Sequence, residues 1–269
     1  MRKMEKYKTC FLMGVQKAIE YRFDFFLSFF STVFPIIIQV SMWTAIYKAT
    51  GNGMLYGYTY VQMILYTFFV GIVGKFLSNG FEYEMNDDIK NGGLNKFIVK
   101  PINYCFYRAS CFLGERTSVS IIFMFVLLIL SIVFFTLGYF KLTGIRVVFF
   151  FISLFMALIL NFAIYFCVGM AGLWMSEISR LFPAISIILS VMSGGIFPLD
   201  ILGERINQII LFLPFKYMLQ FPVDIITGKT FENTLILAFV IQLGWVIYFI
   251  WMANLLWKKG IKKYIAIGG

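Results

Sequence analysis

From Val147 to Met175 the chain carries no charged side chain, and its polarity does not alternate. A helix needs about 20 consecutive apolar residues to cross the ~30 Å hydrocarbon core of a bilayer. Lipid offers backbone groups no partners, so a spanning segment must be a helix or part of a closed barrel. Barrel strands run about ten residues and alternate in polarity, which this run does not. Similar runs at 24–47, 59–79, 117–139, 181–201 and 234–257 join the one at 147–174 to give six expected spans. Composition removes the soluble alternative. Apolar residues make up 61% of the 269 and charged residues 13%, too few to clothe a water-facing surface. The predicted fold class is an all-α integral membrane protein with six transmembrane helices, a single transmembrane domain over 1–269. The fifth run differs from the rest: Arg180 and Asp200 bound it, and Gly194, Gly195 and Pro198 interrupt it.

Charge sets the orientation. The net charge is +10, but the basic residues are unevenly placed. Arg2, Lys3, Lys6, Lys8, Lys17, Arg22, Lys90, Lys96, Lys100, Arg108, Arg180, Lys258, Lys259, Lys262 and Lys263 fall on one side of the expected topology. The other side receives only Lys48, Lys141, Arg146, Arg205, Lys216 and Lys229. Basic loops stay in the cytoplasm, so both termini are expected there. Anionic lipid headgroups are the natural partners of this charge, rather than nucleic acid. The four cysteines (Cys10, Cys105, Cys111 and Cys167) have neither disulfide-framework nor metal-site spacing, and reduced thiols are expected. The basic start and a full-length first span argue against a cleavable signal peptide.

Between the spans the chain is economical. Residues 1–22 carry Phe11, Leu12, Val15, Ala18 and Ile19 at helical intervals, which predicts an amphipathic helix in the cytoplasmic headgroup plane. The turns at 48–58, 140–146 and 175–180 are short. The 80–110 segment is the most polar interior part, with Glu82, Glu84, Asp87 and Asp88 ahead of Gly92–Gly93 and then LNKFIVKP. One helix ending at the glycine pair and a second ending before Pro101 are expected. Leu94, Phe97 and Ile98 give that second helix an apolar face a mere connector does not need. No inverted repeat is visible.

Some chemistry is excluded. Without histidine, Ser–His–Asp and Cys–His catalysis and imidazole metal sites are impossible. GIVGKF at 71–76 lacks the phosphate-loop pattern. The chain is not expected to be an enzyme or to hold a cofactor. Asp24 and Lys75 sit near the inner interface, where anchoring accounts for them. Few charges lie inside the spans, so an ion-driven pathway is poorly supplied with binding groups.

The segment at 200–230 turns back on itself. Gly194, Gly195 and Pro198 break the fifth helix near the outer leaflet, and Asp200, Glu204 and Arg205 require water or partners. INQIILFLPF is only about three turns long before Pro214, and FKYMLQFPVDII is expected to end at Pro222 and the TGKT turn. Two short re-entrant helices satisfy these constraints, with their junctions shielded by protein or lining water.

Two motifs together resemble the permease subunits of type-2 ATP-binding-cassette exporters. DIKNGGLNKFIVKPI (88–102) is similar to that family's cytoplasmic segment after the second span. SGGIFPLDIL…LPFKYMLQFP (193–222) is similar to its re-entrant signature. The likeness covers nearly the whole chain. It implies a coupling helix made by Glu84, Asn86, Asp87, Asp88, Ile89, Lys90 and Asn91, seated in a separate ATP-binding subunit and anchored by Leu94, Phe97 and Ile98. It further implies a re-entrant gate in which Gly194, Gly195 and Pro198 set the break and Leu213, Pro214 and Phe215 cap the outer end. Two copies of the ATPase carrying ATP and Mg, a second permease (identical or related) completing a dimer, and a bacterial plasma-membrane location follow from the same likeness. The expected cargo is amphipathic or hydrophobic: a drug, lipid or peptide. Gly203–Glu204 stands where the family pattern has a proline or aromatic residue. The competing readings are an ion-coupled carrier or channel, and a membrane immunity or scaffold protein.

Overall fold

Two glycines let the N-terminal helix touch its neighbour backbone to backbone. In the computed structural model, which describes residues 2–20, 22–51, 53–100, 102–136, 144–175, 178–229 and 232–264, α1 (Arg2–Glu20) lies along the first half of α6 (Tyr104–Thr136). A side chain at Gly14 would strike the Cys111 carbonyl, and one at Gly114 would strike the Phe11 carbonyl. Small residues at such a crossing trade side-chain volume for close van der Waals contact. The Asn103 amide donates to the Tyr7 hydroxyl at 3.3 Å, and Lys17 pairs with Glu115 at 2.9 Å, so the two helices run parallel. Cys10 and Gly14 face inward, while Leu12 and Ile19 of the predicted apolar stripe remain exposed.

The rest is a helical bundle with no strand ladder among the described residues. α2 (Arg22–Ala49) and α3 (Tyr60–Leu77) form a hairpin, and Thr59 and Gln62 close a reciprocal capping box at the start of α3. Short helices α4 (Phe81–Lys90) and α5 (Asn95–Val99) follow, then α6. α7 (Gly144–Met170) packs on α11 (Glu232–Gly260), on α4 and on α10 (Gln220–Thr227). The core is aromatic: Phe81 stacks on Phe162 at 4.8 Å, and Tyr104 stacks on Trp257 at 5.1 Å.

Three segments among the described residues are long and apolar enough to cross a membrane: Tyr60–Lys90, Gly144–Leu173 and Leu235–Gly260. The fifth expected span, 181–201, needs correction. Its helix, α8, covers only Phe182–Met192, about 16 Å at 1.5 Å per residue and half a hydrocarbon core. The reason is local: the chain leaves the helix at Ser193 and turns through Gly194 at φ 84°. Pro101, the end of the 117–139 run and most of the 140–146 turn lie outside the described residues.

Candidate functional site

The polar segment between α3 and α6 folds onto the bundle rather than hanging from it. On α4, Phe81, Glu82, Met85, Asn86 and Ile89 recur at helical spacing and are buried. Met85 lies against Gly169 and Ile89 against Gly172, at the end of α7. Glu84 is held by Lys17 and by Arg108, and Asp88 by Arg108. The Tyr104 hydroxyl donates to Asp88 at 2.9 Å and accepts from Arg108 Nε at 3.0 Å. Arg108 is only 6% exposed, and its forked guanidinium joins two carboxylates as a point charge could not. One connected set of charges therefore ties α1, α4 and α6 together.

Of the seven residues expected to couple to a partner, the structure brings Glu84 and Asp88 into this network. It buries Asn86 and Ile89, half-buries Lys90, and leaves Asp87 and Asn91 exposed. Tyr83, Asn95, Ile98, Val99 and Lys100 are exposed as well. The anchors divide: Leu94 and Phe97 are buried, but Ile98 is 52% exposed and does not anchor. Tyr104 and Tyr107 pack around Phe97, at 4.9 and 4.6 Å, and Ile98 is left facing outward.

The opposite end of the bundle holds the re-entrant segment. Pro198 leads into a 3-10 turn (Leu199–Leu202), and α9 (Glu204–Ile210) follows. Gly203 adopts φ 90° at its start and Glu204 sits in the first turn, where a carboxylate suits the helix dipole. The 211–218 stretch is irregular, with Pro214 buried and Leu213 and Phe215 half-buried. α10 corrects a second expectation, because Pro222 lies in its first turn instead of ending it. Proline's missing N–H costs nothing there. The helix ends at Gly228, which takes the left-handed conformation.

Irregular backbone away from water must find protein donors, and polar residues on the long helices supply them. Asn161 of α7 donates to the Met218 carbonyl at 3.2 Å. From α11, Gln242 donates to the Tyr217 carbonyl at 3.1 Å and Trp245 to that of Phe212 at 3.0 Å. Around the break, Tyr66 donates to the Gly194 carbonyl at 2.7 Å. Gln220 accepts from the Leu199 amide at 2.9 Å and donates to Asp200 at 3.0 Å. Tyr58 also donates to Asp200, at 2.7 Å, and Lys229 lies 3.8 Å from the same oxygen. Thus Gly194, Gly195 and Pro198 do converge with α10, through a polar cluster the sequence reading had not assembled. Asp224 is buried beside it, and one of its carboxylate oxygens has no hydrogen-bond partner. Burial pushes its carboxyl up to about 7, against the pull of Lys216 and Lys229. A charge inside LQFPVDII was the available signal for Asp224; Asn161 and Gln242 were the same signal inside apolar helices.

Between the two ends lies a cavity of about 400 Å³, the size of a small-molecule site. Its walls come from α2, α3, α7, α8 and the Gly195 turn, and include Lys75, Asn79 and Glu82. Unpartnered buried polar atoms cost about 1–3 kcal/mol each. Glu82 Oε2 and both amide atoms of Asn79 are in that position. Among the described residues no group of histidine, cysteine, aspartate and glutamate has the arrangement of a metal site.

A family model described as ABC-2 family transporter protein matches residues 25–268. No curated protein matches the chain. A match over nearly the full length, on a helical bundle containing apolar segments long enough to cross a membrane, identifies the chain as a member of the ABC-2 transporter family, the membrane component of an ATP-binding-cassette transporter.

Proposed function

We propose that the chain is the permease of an ATP-driven exporter that moves an amphipathic or hydrophobic cargo (drug, lipid or peptide) out of the cytoplasm or inner leaflet. ATP and Mg are held and hydrolysed on a separate cassette subunit, present in two copies, and a second permease, identical or related, completes the pathway. In this reading α2, α3, α6, α7 and α11 cross the bilayer, the short α8 and the turn at Gly194 together make the remaining passage, both termini lie in the cytoplasm of a bacterial cell, and α9 and α10 re-enter the outer leaflet. The observation that carries it is the α4–α5 segment. One face is fixed into the bundle by Met85, Ile89 and Leu94, and the other presents Tyr83, Asp87, Asn91 and Asn95. A segment fixed on one side and open on the other transmits a push into the bundle instead of absorbing it. The contact surface is therefore narrower than the seven residues first expected, with Asp87 and Asn91 at its centre.

The test is site-specific cross-linking from Asp87→Cys and Asn91→Cys to the ATP-binding-cassette subunit that copurifies with the chain from its native membrane. Cross-links at both positions, absent from Ile206→Cys at the other end, are expected. No cross-link at either, with the complex intact, refutes the assignment. An ion-coupled carrier is favoured by one observation, the buried carboxylates Glu82 and Asp224. It predicts transport without the ATPase, which the proposed exporter does not perform.

A further inference from the structure

Between α3 and α4 the chain leaves helical geometry at residues 78–80, and polar side chains around this junction hold buried atoms without partners. They are the Asn79 amide, Glu82 Oε2 in the first turn of α4, and Arg116 Nε on α6. Arg116 stands between the two shorter elements. Its Nη1 donates to the Phe76 carbonyl in the last turn of α3 at 3.2 Å, and its guanidinium lies 5.0 Å from the centre of the Phe112 ring. That ring meets Phe81, the residue before Glu82, at 5.4 Å. Glu82 and Arg116 are near enough to feel each other's charge, yet Oε2 and Nε are both unbonded. Neighbouring carboxylates are already engaged: Glu84 and Glu115 by Lys17, and Asp88 by Arg108. A buried acceptor with negative charge and a buried donor with positive charge, both unsatisfied, complete each other when they meet. A guanidinium presents its N–H donors as a planar fork, so Nη1 keeps the Phe76 carbonyl while Nε takes Glu82. The non-helical junction is the kind of segment that absorbs such a change, and a Cβ added at Gly80 would meet nothing within 4 Å.

We infer that Arg116 is a clip across the α3–α4 junction, open in this structure and closed onto Glu82 in the state that the cassette subunit drives. Closed, it joins the end of α3 to the start of α4. It also withdraws the Glu82 carboxylate from the wall of the cavity, which Asn79 and Glu82 line here. The nucleotide state of the partner is thereby passed to the cavity through one side chain. The inference rests on the reading of α4 as the segment that the cassette pushes.

The experiment is a double-mutant cycle on the full chain in complex with its cassette subunit in lipid nanodiscs. Thermal unfolding is read without nucleotide and with ATP and vanadate, which keep the cassettes closed. The variants are Glu82→Gln, Arg116→Gln and the two together; glutamine at position 116 still offers the Phe76 carbonyl an N–H. Without nucleotide the two losses should add to within about 1 °C, because the groups are not bonded. In the trapped state the double variant should exceed the additive expectation by about 4 °C or more, since either single change strands a buried charge that the double change removes. Losses that add equally in both states overturn the inference. So does a departure from additivity that is equal in both states or larger without nucleotide. Should Arg116→Gln fail to assemble, Asn79→Cys decides, with maleimide labelling at position 79 followed by mass spectrometry. Its rate should differ by about threefold or more between the two states, and the difference should vanish when Glu82→Gln is added. An equal rate in both states, or a difference that survives Glu82→Gln, overturns the inference. A failed cycle with the Asp87 and Asn91 cross-links intact sinks only the clip, whereas a successful cycle without those cross-links sinks only the α4 docking.

Discussion

Arg108 is where the structure makes its sharpest energetic statement. Its side chain is buried and binds Glu84, Asp88 and the Tyr104 hydroxyl through one guanidinium. Removing one partner of a buried ion pair costs about 3–5 kcal/mol, because the other charge stays behind. Here the remaining charges are partly relieved. Glu84 is 38% exposed and keeps Lys17, and Asp88 keeps the Tyr104 hydroxyl and Lys96 at 3.6 Å. The cost of Arg108→Met should therefore fall to about 2–4 kcal/mol, which lowers Tm by roughly 5–12 °C in a chain of this size. Arg108→Lys keeps the charge but loses the fork, and should recover less than half of that. Thermal unfolding of the detergent-purified chain reads all three states. The decisive variant is the double change Arg108→Met with Asp88→Asn, which removes the stranded carboxylate and should be more stable than Arg108→Met alone by about 1–2 kcal/mol. An Arg108→Met variant within 1 °C of the parent, or a double variant with purely additive losses, would refute the reasoning.

Other consequences follow from named contacts. Gly114→Leu should separate α1 from α6, since its side chain meets the Phe11 backbone; a disulfide engineered between the two helices should then fail to form, and efficient formation would contradict the crossing. Gly194→Ala combines a positive φ with a Cβ 2.6 Å from the Tyr66 hydroxyl, so a loss of about 1–3 kcal/mol is expected in the same thermal assay. Asp224 gives a pH dependence of defined sign. Its carboxyl is raised from 3.8 to about 7, so between those values the folded chain binds a proton that the unfolded chain has lost. Stability should fall as pH rises through that window, by up to ~4 kcal/mol, and then level off. Asp224→Asn should flatten the profile and be the more stable form at pH 8; a profile unchanged by the substitution would remove Asp224 as its source.

Much of this architecture was legible because the residues concerned have few alternatives. The long apolar runs had to be helices once lipid was their solvent. Gly92–Gly93 and Gly194 marked turns because one glycine of each break adopts a positive φ. What could not be read was how far a helix continues and which side chains meet across the bundle. α8 stops at Met192 because Tyr66 and Gln220, distant in sequence, hold the turn after it. Pro222 looked like a terminator because proline is tolerated at one end of a helix and forbidden further in, and sequence alone did not say which end it occupied. Asp88 and Ile89 read as surface residues within a polar stretch, yet Arg108 and Gly172 take up their side chains. Glu82 stood among other carboxylates, and only the fold separates it from them by turning it into the cavity.

The central claim is that this chain is a conduit worked by a nucleotide-hydrolysing partner at its α4–α5 face. The direct measurement is ATP hydrolysis by that partner in proteoliposomes, with the parent chain and with Asp87→Arg. The account predicts hydrolysis stimulated by the parent chain, stimulation lost with Asp87→Arg although the variant folds and inserts, and no dissipation of an ion gradient by the chain alone. Hydrolysis indifferent to the chain, or a gradient collapsed by the chain without its partner, would contradict it.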